Sequence, residues 1–212
     1  MIKVLTVGMI QEHAYFFIDD TTKHGFLIDP GDEPARILAQ IEKEGFIIDK
    51  ILLTHGHYDH IGAAEAIREK LGCPIIIHEE GRQYLEDPTW NLSAHHGRGI
   101  TLHADQYVQH GDKIVLEGNV AMTLKVIHAP GHTSDGVAYY CEEQQVAFVG
   151  DIIFNGAIGR SDKPGGNMNR LLSAIRAQIF TLPDETLLLP GHGDSTTVKK
   201  EKMTNPFFNL YE

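Results

Sequence analysis

Four apolar runs of this chain each stop on a histidine or an aspartate: "ILLT" before His55, "VIHAPG" before His132, "VAFVG" before Asp151 and "LLLPG" before His192. Short apolar runs bounded by glycine or proline read as buried strands. The ends of buried strands converge on one edge of a sheet, where rigid scaffolds present functional loops. A fold that can hold this chain must therefore bring four polar strand ends together. Gly131, Gly150 and Gly191 directly precede three of those polar residues and allow close backbone approach there.

The rest of the pattern fills in around those strands. "IKVLTV", "AYFFID" and "GFLID" read as an antiparallel meander. Ile37, Leu38 and Ile41 predict a helix over 33–44, capped by Gly45, and "IDKILLT" follows as a buried strand. Ala63, Ile67 and Leu71 recur every four residues, which predicts a second helix with His60 near its start. Strand "PIIIH" and a short helix over 79–86 come next, then a stretch over 87–105 that lacks a clean period, holds the only tryptophan, Trp90, and reads as a long surface loop. Further strands lead to a helix over 168–180 with Leu172, Ile175 and Ile179 aligned. Strands and helices alternate in both halves without a low-complexity linker, and 212 residues fit one hydrophobic core. The expectation is one α/β domain over 1–212, with two packed sheets covered by helices.

Charge and leader signals narrow the function. Lys and Arg number 18 against 29 Asp and Glu, a net charge of −11, which disfavours a nucleic-acid partner. "MIKVLTVGMIQEHAYFF" has one lysine and no small-residue cleavage site, and no window approaches the ~18 apolar residues of a spanning helix. The expectation is a cytoplasmic protein without a membrane partner. Cys73 and Cys141 flank apolar runs and are expected as buried, inert thiols.

The densest chemistry lies in "THGHYDHIG", residues 54–62, which places His55, His57, Asp59 and His60 within six positions. Adding His132, Asp151 and His192 gives seven candidate ligands, more than one tetrahedral zinc can use. Two divalent ions, which lie ~3.5–4 Å apart in such sites and share bridging ligands, fit that number better. Nitrogen and oxygen ligands without a thiolate accept zinc, iron or manganese, with zinc the default for a histidine-rich set.

"HGHYDH" followed by His132, Asp151 and His192 resembles the metallo-β-lactamase superfamily pattern H-x-H-x-D-H, then H, D and H. The resemblance covers nearly the whole chain. "LIDPG", "PGHTSDG", "VGDIIFNGAIGRSDKPGGN" and "PGHGDSTTVKKEKMTNPFF" look like the glyoxalase II-like, or hydroxyacylglutathione hydrolase-like, branch. It implies a four-layer αββα sandwich. It also implies that His55, His57 and His132 hold one ion, that Asp59, His60 and His192 hold the other, and that Asp151 bridges them. The implied activity is hydrolysis of a small-molecule thioester such as S-lactoylglutathione by a hydroxide between the ions, oriented by Asp59. Arg160, in "IGRSDKPGG", corresponds to a basic substrate-contacting position and is expected to bind a carboxylate of the thiol carrier.

Two departures matter. Full-length glyoxalase II carries a helical C-terminal domain for glutathione, whereas this chain stops just after "NPFF". True β-lactamases of the fold typically place a cysteine where Asp151 stands, so that activity ranks low. An iron-dependent persulfide dioxygenase is the alternative, although its relatives generally lack the second ligand set that His192 completes here; a lactonase on the same fold is another. Outside the seven candidates, His95 and His96 could line a substrate mouth but are expected to sit in water, and "KKEK" at 199–202 could reach a carboxylate of a thiol carrier but reads first as a solvated helix face. Asp29 either supports a ligand through a hydrogen bond or simply forms the turn before Pro30.

Overall fold

Strand Glu12–Ile18 shows why the molecule is layered: Tyr15 and Phe17 face one way, Ala14, Phe16 and Ile18 the other, and both rows are buried. A strand covered on both faces needs a layer on each side. The computed structural model describes residues 1–208, and the last four residues of the expected 1–212 domain lie outside the described residues.

The first sheet has six strands in sequential order: β1 (Ile2–Val7), β2 (Glu12–Ile18), β3 (His24–Ile28), β4 (Ile47–Leu52), β5 (Ile75–His78) and β6 (Gln106–Val108). β1 to β3 form the expected antiparallel meander, and β3 to β6 run parallel. Parallel neighbours require crossovers. Helix α1 (Pro34–Glu44) supplies the first, ending at Gly45 in the left-handed conformation at φ 67°. Helices α2 (Tyr58–Ile61) and α3 (Ala64–Leu71) supply the second, and α4 (Arg82–Glu86) lies in the third.

The second sheet contains β7 (Lys113–Leu116), β8 (Asn119–His128), β9 (Val137–Cys141) and β10 (Val146–Gly150). After a small hairpin of β11 (Ile153–Phe154) and β12 (Ala157–Ile158), helix α5 (Met168–Ala174) leads to β13 (Leu187–Pro190), β14 (Thr196–Thr197) and α6 (Val198–Thr204). The order is β14-β13-β10-β9-β8-β7, with β10 and β13 parallel.

Three apolar clusters separate four layers. Phe17, Phe26, Leu52, Leu124, Tyr139 and Phe148 belong to the one between the sheets. Ile37, Ile67, Leu27 and Ile51 join α1 and α3 to the outer face of the first sheet. Leu171, Ile175 and Ile179 pack on the second sheet with Ala147 and Val149. The helix–sheet–sheet–helix sandwich is therefore the observed architecture. Cys73 and Cys141 are free and buried in these clusters, as expected.

Three local expectations need correction. His60 lies on its own one-turn helix, separated from α3 at Gly62, where a Cβ would come within 2.4 Å of the Gly31 carbonyl oxygen. Leu71 is 38% exposed, because the buried stripe of α3 runs through Ala64 and Ile67 and is over before the last residue. The helix expected over 168–180 is α-helical only to Ala174 and continues as a π-helical turn over Ile175–Ile179.

The segment after α4 is the fourth correction. Asn91 is fully buried and its side-chain amide donates to the carbonyls of Tyr84 and Ile100 while accepting from the Ser93 N–H. Ser93 in turn accepts from the Ile100 N–H, and Ser93–His96 form a 3₁₀ turn. A polar residue so fully satisfied inside its own segment gives a defined structure without any apolar period, which is why the sequence reads as loop.

Candidate metal centre

All seven expected ligands meet at the carboxyl-terminal ends of β4, β8, β10 and β13. Glycine is needed where those ends touch. A Cβ at Gly150, which has φ 47°, would lie 2.2 Å from Thr54 Oγ1, and one at Gly191 would lie 2.5 Å from both Asp151 Oδ1 and His60 Cε1.

The first triad is all imidazole. His57 Nδ1 lies 3.1 Å from His55 Nε2 and 3.0 Å from His132 Nε2, and all three residues are buried. Their second ring nitrogens decide what those atoms carry. His132 Nδ1 lies 2.6 Å from the Arg160 carbonyl oxygen, which can only accept, so its proton sits on Nδ1. The Thr54 hydroxyl donates to Asp29 and lies 3.2 Å from His55 Nδ1, so His55 also carries its proton there. Both Nε2 atoms then present lone pairs. His57 Nδ1 can donate to one of them at most, and its Nε2 is buried without a hydrogen-bond partner among the described residues.

Burial, followed by the neighbouring imidazoles, pushes His55 well below its ordinary pKa and His57 down to about 3. His132 is lowered by burial as well. Three neutral rings with converging lone pairs at about 3 Å match the spacing of nitrogens around an ion bound at ~2.0–2.1 Å.

The second group mixes charge. His192 Nε2 lies 3.2 Å and His60 Nε2 3.5 Å from Asp59 Oδ2. His60 Nδ1 donates to Asp29 Oδ2 at 2.9 Å, and His192 Nδ1 donates to the Ile10 carbonyl oxygen at 3.2 Å. Asp29 therefore has the supporting role, and it also accepts from the Thr54 N–H and hydroxyl. Asp29 has a positive φ of 49°, and its N–H donates to the Leu52 carbonyl.

Asp151 stands between the groups. Its Oδ1 is 3.4 Å from His60 Nε2, while its Oδ2 is 3.6 Å from His132 Nε2 and 3.8 Å from His192 Nε2. Burial alone would raise its pKa, but the charges of His60, His132 and His192 more than offset that and hold it well below the carboxylate range. His60 is held well above its usual value because Asp151, Asp59 and Asp29 outweigh the opposing effect of burial. His60 Nε2 and Asp151 Oδ1 are both buried without hydrogen-bond partners among the described residues. Buried polar atoms left without partners in two such groups are what bound cations would satisfy, so the residues fit two divalent ions.

A cavity of about 380 Å³ opens onto these groups. Asp59, Asp151 and His192 reach it, and so does Arg160, whose Nε and Nη2 are engaged with Asp162 at 2.7 and 2.8 Å. The ordered segment after α4 contributes Leu92, His95 and His96; the two loop histidines are exposed to solvent, as expected, and also line the cavity, the other role the sequence offered them. Their adjacency to Trp90 in an unusually long segment was the available signal. Lys200 and Lys202 of "KKEK" bind Asn155 and Asp184 at the surface, and no residue of that run lines the cavity.

Comparison with known proteins identifies the family. A probable metallo-hydrolase of Bacillus subtilis, YqgX, is 38% identical over 97% of this chain and 96% of its own length. The hydroxyacylglutathione hydrolase GloC of Haemophilus influenzae is 34% identical over 98% of each. Among solved structures, the BLEG-1 B3 metallo-β-lactamase superposes with a TM-score of 0.93 at 36% identity, covering 99% of this chain and 100% of that one. A di-iron-bound form of TTHA1623 gives 0.86 at 35% identity, covering 97% and 99%. The family model of the metallo-beta-lactamase superfamily matches residues 8–192, from the β1–β2 turn to the last of the seven ligands. The chain belongs to the metallo-β-lactamase superfamily and is a metal-dependent hydrolase of that fold.

Proposed function

We propose that the chain hydrolyses a small-molecule thioester, with S-lactoylglutathione as the type substrate. One observation carries the reading: Asp151 lies against both ligand groups, its Oδ2 3.6 Å from His132 of the first, and its Oδ1 3.4 Å from His60 and Oδ2 3.8 Å from His192 of the second, a position that suits a carboxylate shared by two ions. The likeness to GloC over the full chain supports the thioester. In this reading His55, His57 and His132 hold one ion, Asp59, His60 and His192 the other, and Asp151 both.

Divalent ions supply Lewis acidity, which lowers the pKa of bound water from ~15.7 towards ~7 and polarises a carbonyl oxygen. The chain's own residues do the rest. Asp59 is held ionised: burial would raise it, but His60 and the His192 hydrogen bond lower it below the usual carboxylate value. Its side chain is 12% exposed and faces the cavity, so it can accept a hydrogen bond from the attacking water and fix its direction. The thiol product has a pKa of ~8.5 and departs as thiolate, so no side chain must donate a proton. Leu92 and Ile10 line the cavity with apolar side chains.

The test is thiol release from S-lactoylglutathione by zinc-, iron- and manganese-loaded protein. Turnover that disappears in Asp151→Ala is expected. Absence of release from this and simpler thioesters with all three metals would overturn the reading, and oxygen uptake with glutathione persulfide would then identify the oxidative alternative. A second reading is β-lactam opening, favoured by the likeness to BLEG-1 despite the aspartate at position 151. Ring opening of a chromogenic cephalosporin faster than thioester cleavage would establish it.

A further inference from the structure

Arg160 is the basic residue that the sequence offers for a substrate carboxylate, yet the structure gives it two other tasks. Its backbone carbonyl fixes the His132 ring through the 2.6 Å contact with Nδ1. Its guanidinium is engaged fork to fork with Asp162, which makes the pair electrically neutral. Any anion approaching Arg160 meets the Asp162 carboxylate as well, so the net attraction is small.

Lys163 differs in each respect. It lines the same cavity, is half-buried, and its ammonium group makes no hydrogen bond or ion pair among the described residues. Of the two fixed cations on the cavity wall, it is the one without a countercharge in contact. A half-buried and unpaired lysine loses hydration without gaining a partner, an arrangement that favours an incoming anion.

The backbone beneath Lys163 is also fixed. The Gly166 N–H donates to the Lys163 carbonyl oxygen at 2.8 Å, closing a turn. The Tyr84 hydroxyl donates to the Pro164 carbonyl at 3.0 Å and accepts from the Ser134 N–H at 3.0 Å. The Asn167 N–H donates to the Gly131 carbonyl, next to His132. The crest that carries Lys163 is thus tied on both sides to the loop that carries His132, so its distance from the reacting atoms is set by the fold and not by chance. Tyr84 is fully buried and its ring also meets His57 edge-on at 6.0 Å.

We propose that Lys163, and not Arg160, binds the carboxylate of the substrate's thiol carrier and so selects anionic thioesters. A carboxylate there leaves the apolar Ile10 and Leu92 on the cavity wall for the acyl group. This matters on a chain of net charge −11, where an anionic substrate is repelled at long range and needs a local cation to be held. The inference rests on the thioester reading above, and a binding measurement separates the two.

The experiment titrates S-methylglutathione, an unreactive thioether with free carboxylates, into zinc-loaded protein by calorimetry. Its diesterified form, which keeps the ammonium group but has no carboxylate, serves as the control probe. Lys163→Gln is expected to weaken S-methylglutathione about tenfold and to leave the diester unchanged, while Arg160→Gln changes either by less than twofold. In turnover the same Lys163→Gln protein should show a raised KM for S-lactoylglutathione at unchanged kcat, with unchanged zinc content as the control on folding. Equal affinity of wild type and Lys163→Gln for S-methylglutathione, or a tenfold loss in Arg160→Gln instead, would overturn the proposal, as would no binding to wild type. Binding that depends on Lys163 without hydrolysis by the wild type would overturn the thioester reading and leave the anion site standing.

Discussion

At the scale of single residues, the centre depends on groups that never touch an ion. Asp29 accepts from His60 Nδ1 and from Thr54, whose hydroxyl is also the acceptor nearest His55 Nδ1, so one carboxylate sets the tautomers of two rings. Asp29→Asn keeps the size but replaces one acceptor oxygen with a donor, which disfavours the Nδ1–H form of His60. Zinc affinity, measured by competition with a chromogenic chelator, should fall ~10–100-fold, the usual effect of losing such a partner; an unchanged affinity would remove Asp29 from this role. Gly191→Ala tests close approach, since the new Cβ would press on Asp151 and His60 at 2.5 Å. Metal content per chain should drop while the far-ultraviolet spectrum stays native. That the seven candidate ligands come together was legible in the sequence, because each stands at or just beyond the end of an apolar run. The positioning atoms were not, because backbone carbonyls of Arg160 and Ile10 supply two of them and a carbonyl carries no residue-specific signal. Arg160 lines the cavity, and its pairing with Asp162 two positions on is a matter of side-chain geometry that the sequence does not show.

Among elements, strands with a clean apolar period were legible and the joins between elements were not. The meander and α1 follow their patterns closely, while the break at Gly62 arises from a backbone contact with Gly31 that is distant in sequence. The ordered segment around Asn91 is held by polar bonds and shows no period at all. The ends of β5 and β8 meet in another contact without a sequence signature: the rings of His78 and His128 stack at 4.0 Å and join one sheet to the other. Burial, then the His128 charge, pushes His78 down to about 4, while Glu80, Glu79 and Asp112 oppose this. An unfolded histidine titrates near 6.5, so below that pH the unfolded chain binds a proton that the folded one excludes. The associated stability is present above about pH 6.5 and is lost as pH falls towards 4, with a ceiling of ~3 kcal/mol at ~1.4 kcal/mol per unit. Metal-stripped wild type should therefore lose more of its melting temperature between pH 6.5 and 4.5 than metal-stripped His78→Phe, because the difference between the two curves isolates this residue from the ligand histidines. Parallel curves would show that His78 is protonated without cost.

For the whole molecule, the candidate ligands come from two sheets that are otherwise joined by apolar packing. His55, His57, Asp59 and His60 follow β4 of the first sheet, whereas His132, Asp151 and His192 follow β8, β10 and β13 of the second. Ions held by both sets would clamp the sheets at one edge, and any species that binds only the folded state stabilises it by RT ln(1 + [L]/Kd), ~2 kcal/mol per ion and so ~4 kcal/mol for two at a roughly thirtyfold excess over Kd. The apolar cluster between the sheets contributes more: burying each Phe or Leu stabilises by ~1.5–3 kcal/mol, and Phe17, Phe26, Leu52, Leu124 and Phe148 alone exceed the metal contribution. Those two magnitudes decide what chelation does. The stripped protein should remain folded, because the inter-sheet core does not depend on the ions, but it should melt ~10 °C lower, at ~2–4 °C per kcal/mol for a chain of this size. Part of the loss is offset inside the site, since His60 can hold a proton between Asp29, Asp59 and Asp151 and so balance some of their charge. Calorimetric melting with and without chelator, followed by readdition of zinc, measures the shift directly. A fall of about that size, reversed by zinc, places the ions as a clasp across two sheets that fold without them. Unfolding on chelation would instead make the metal part of the folding core, and an unchanged melting temperature would mean that the seven side chains do not bind ions tightly enough to act together.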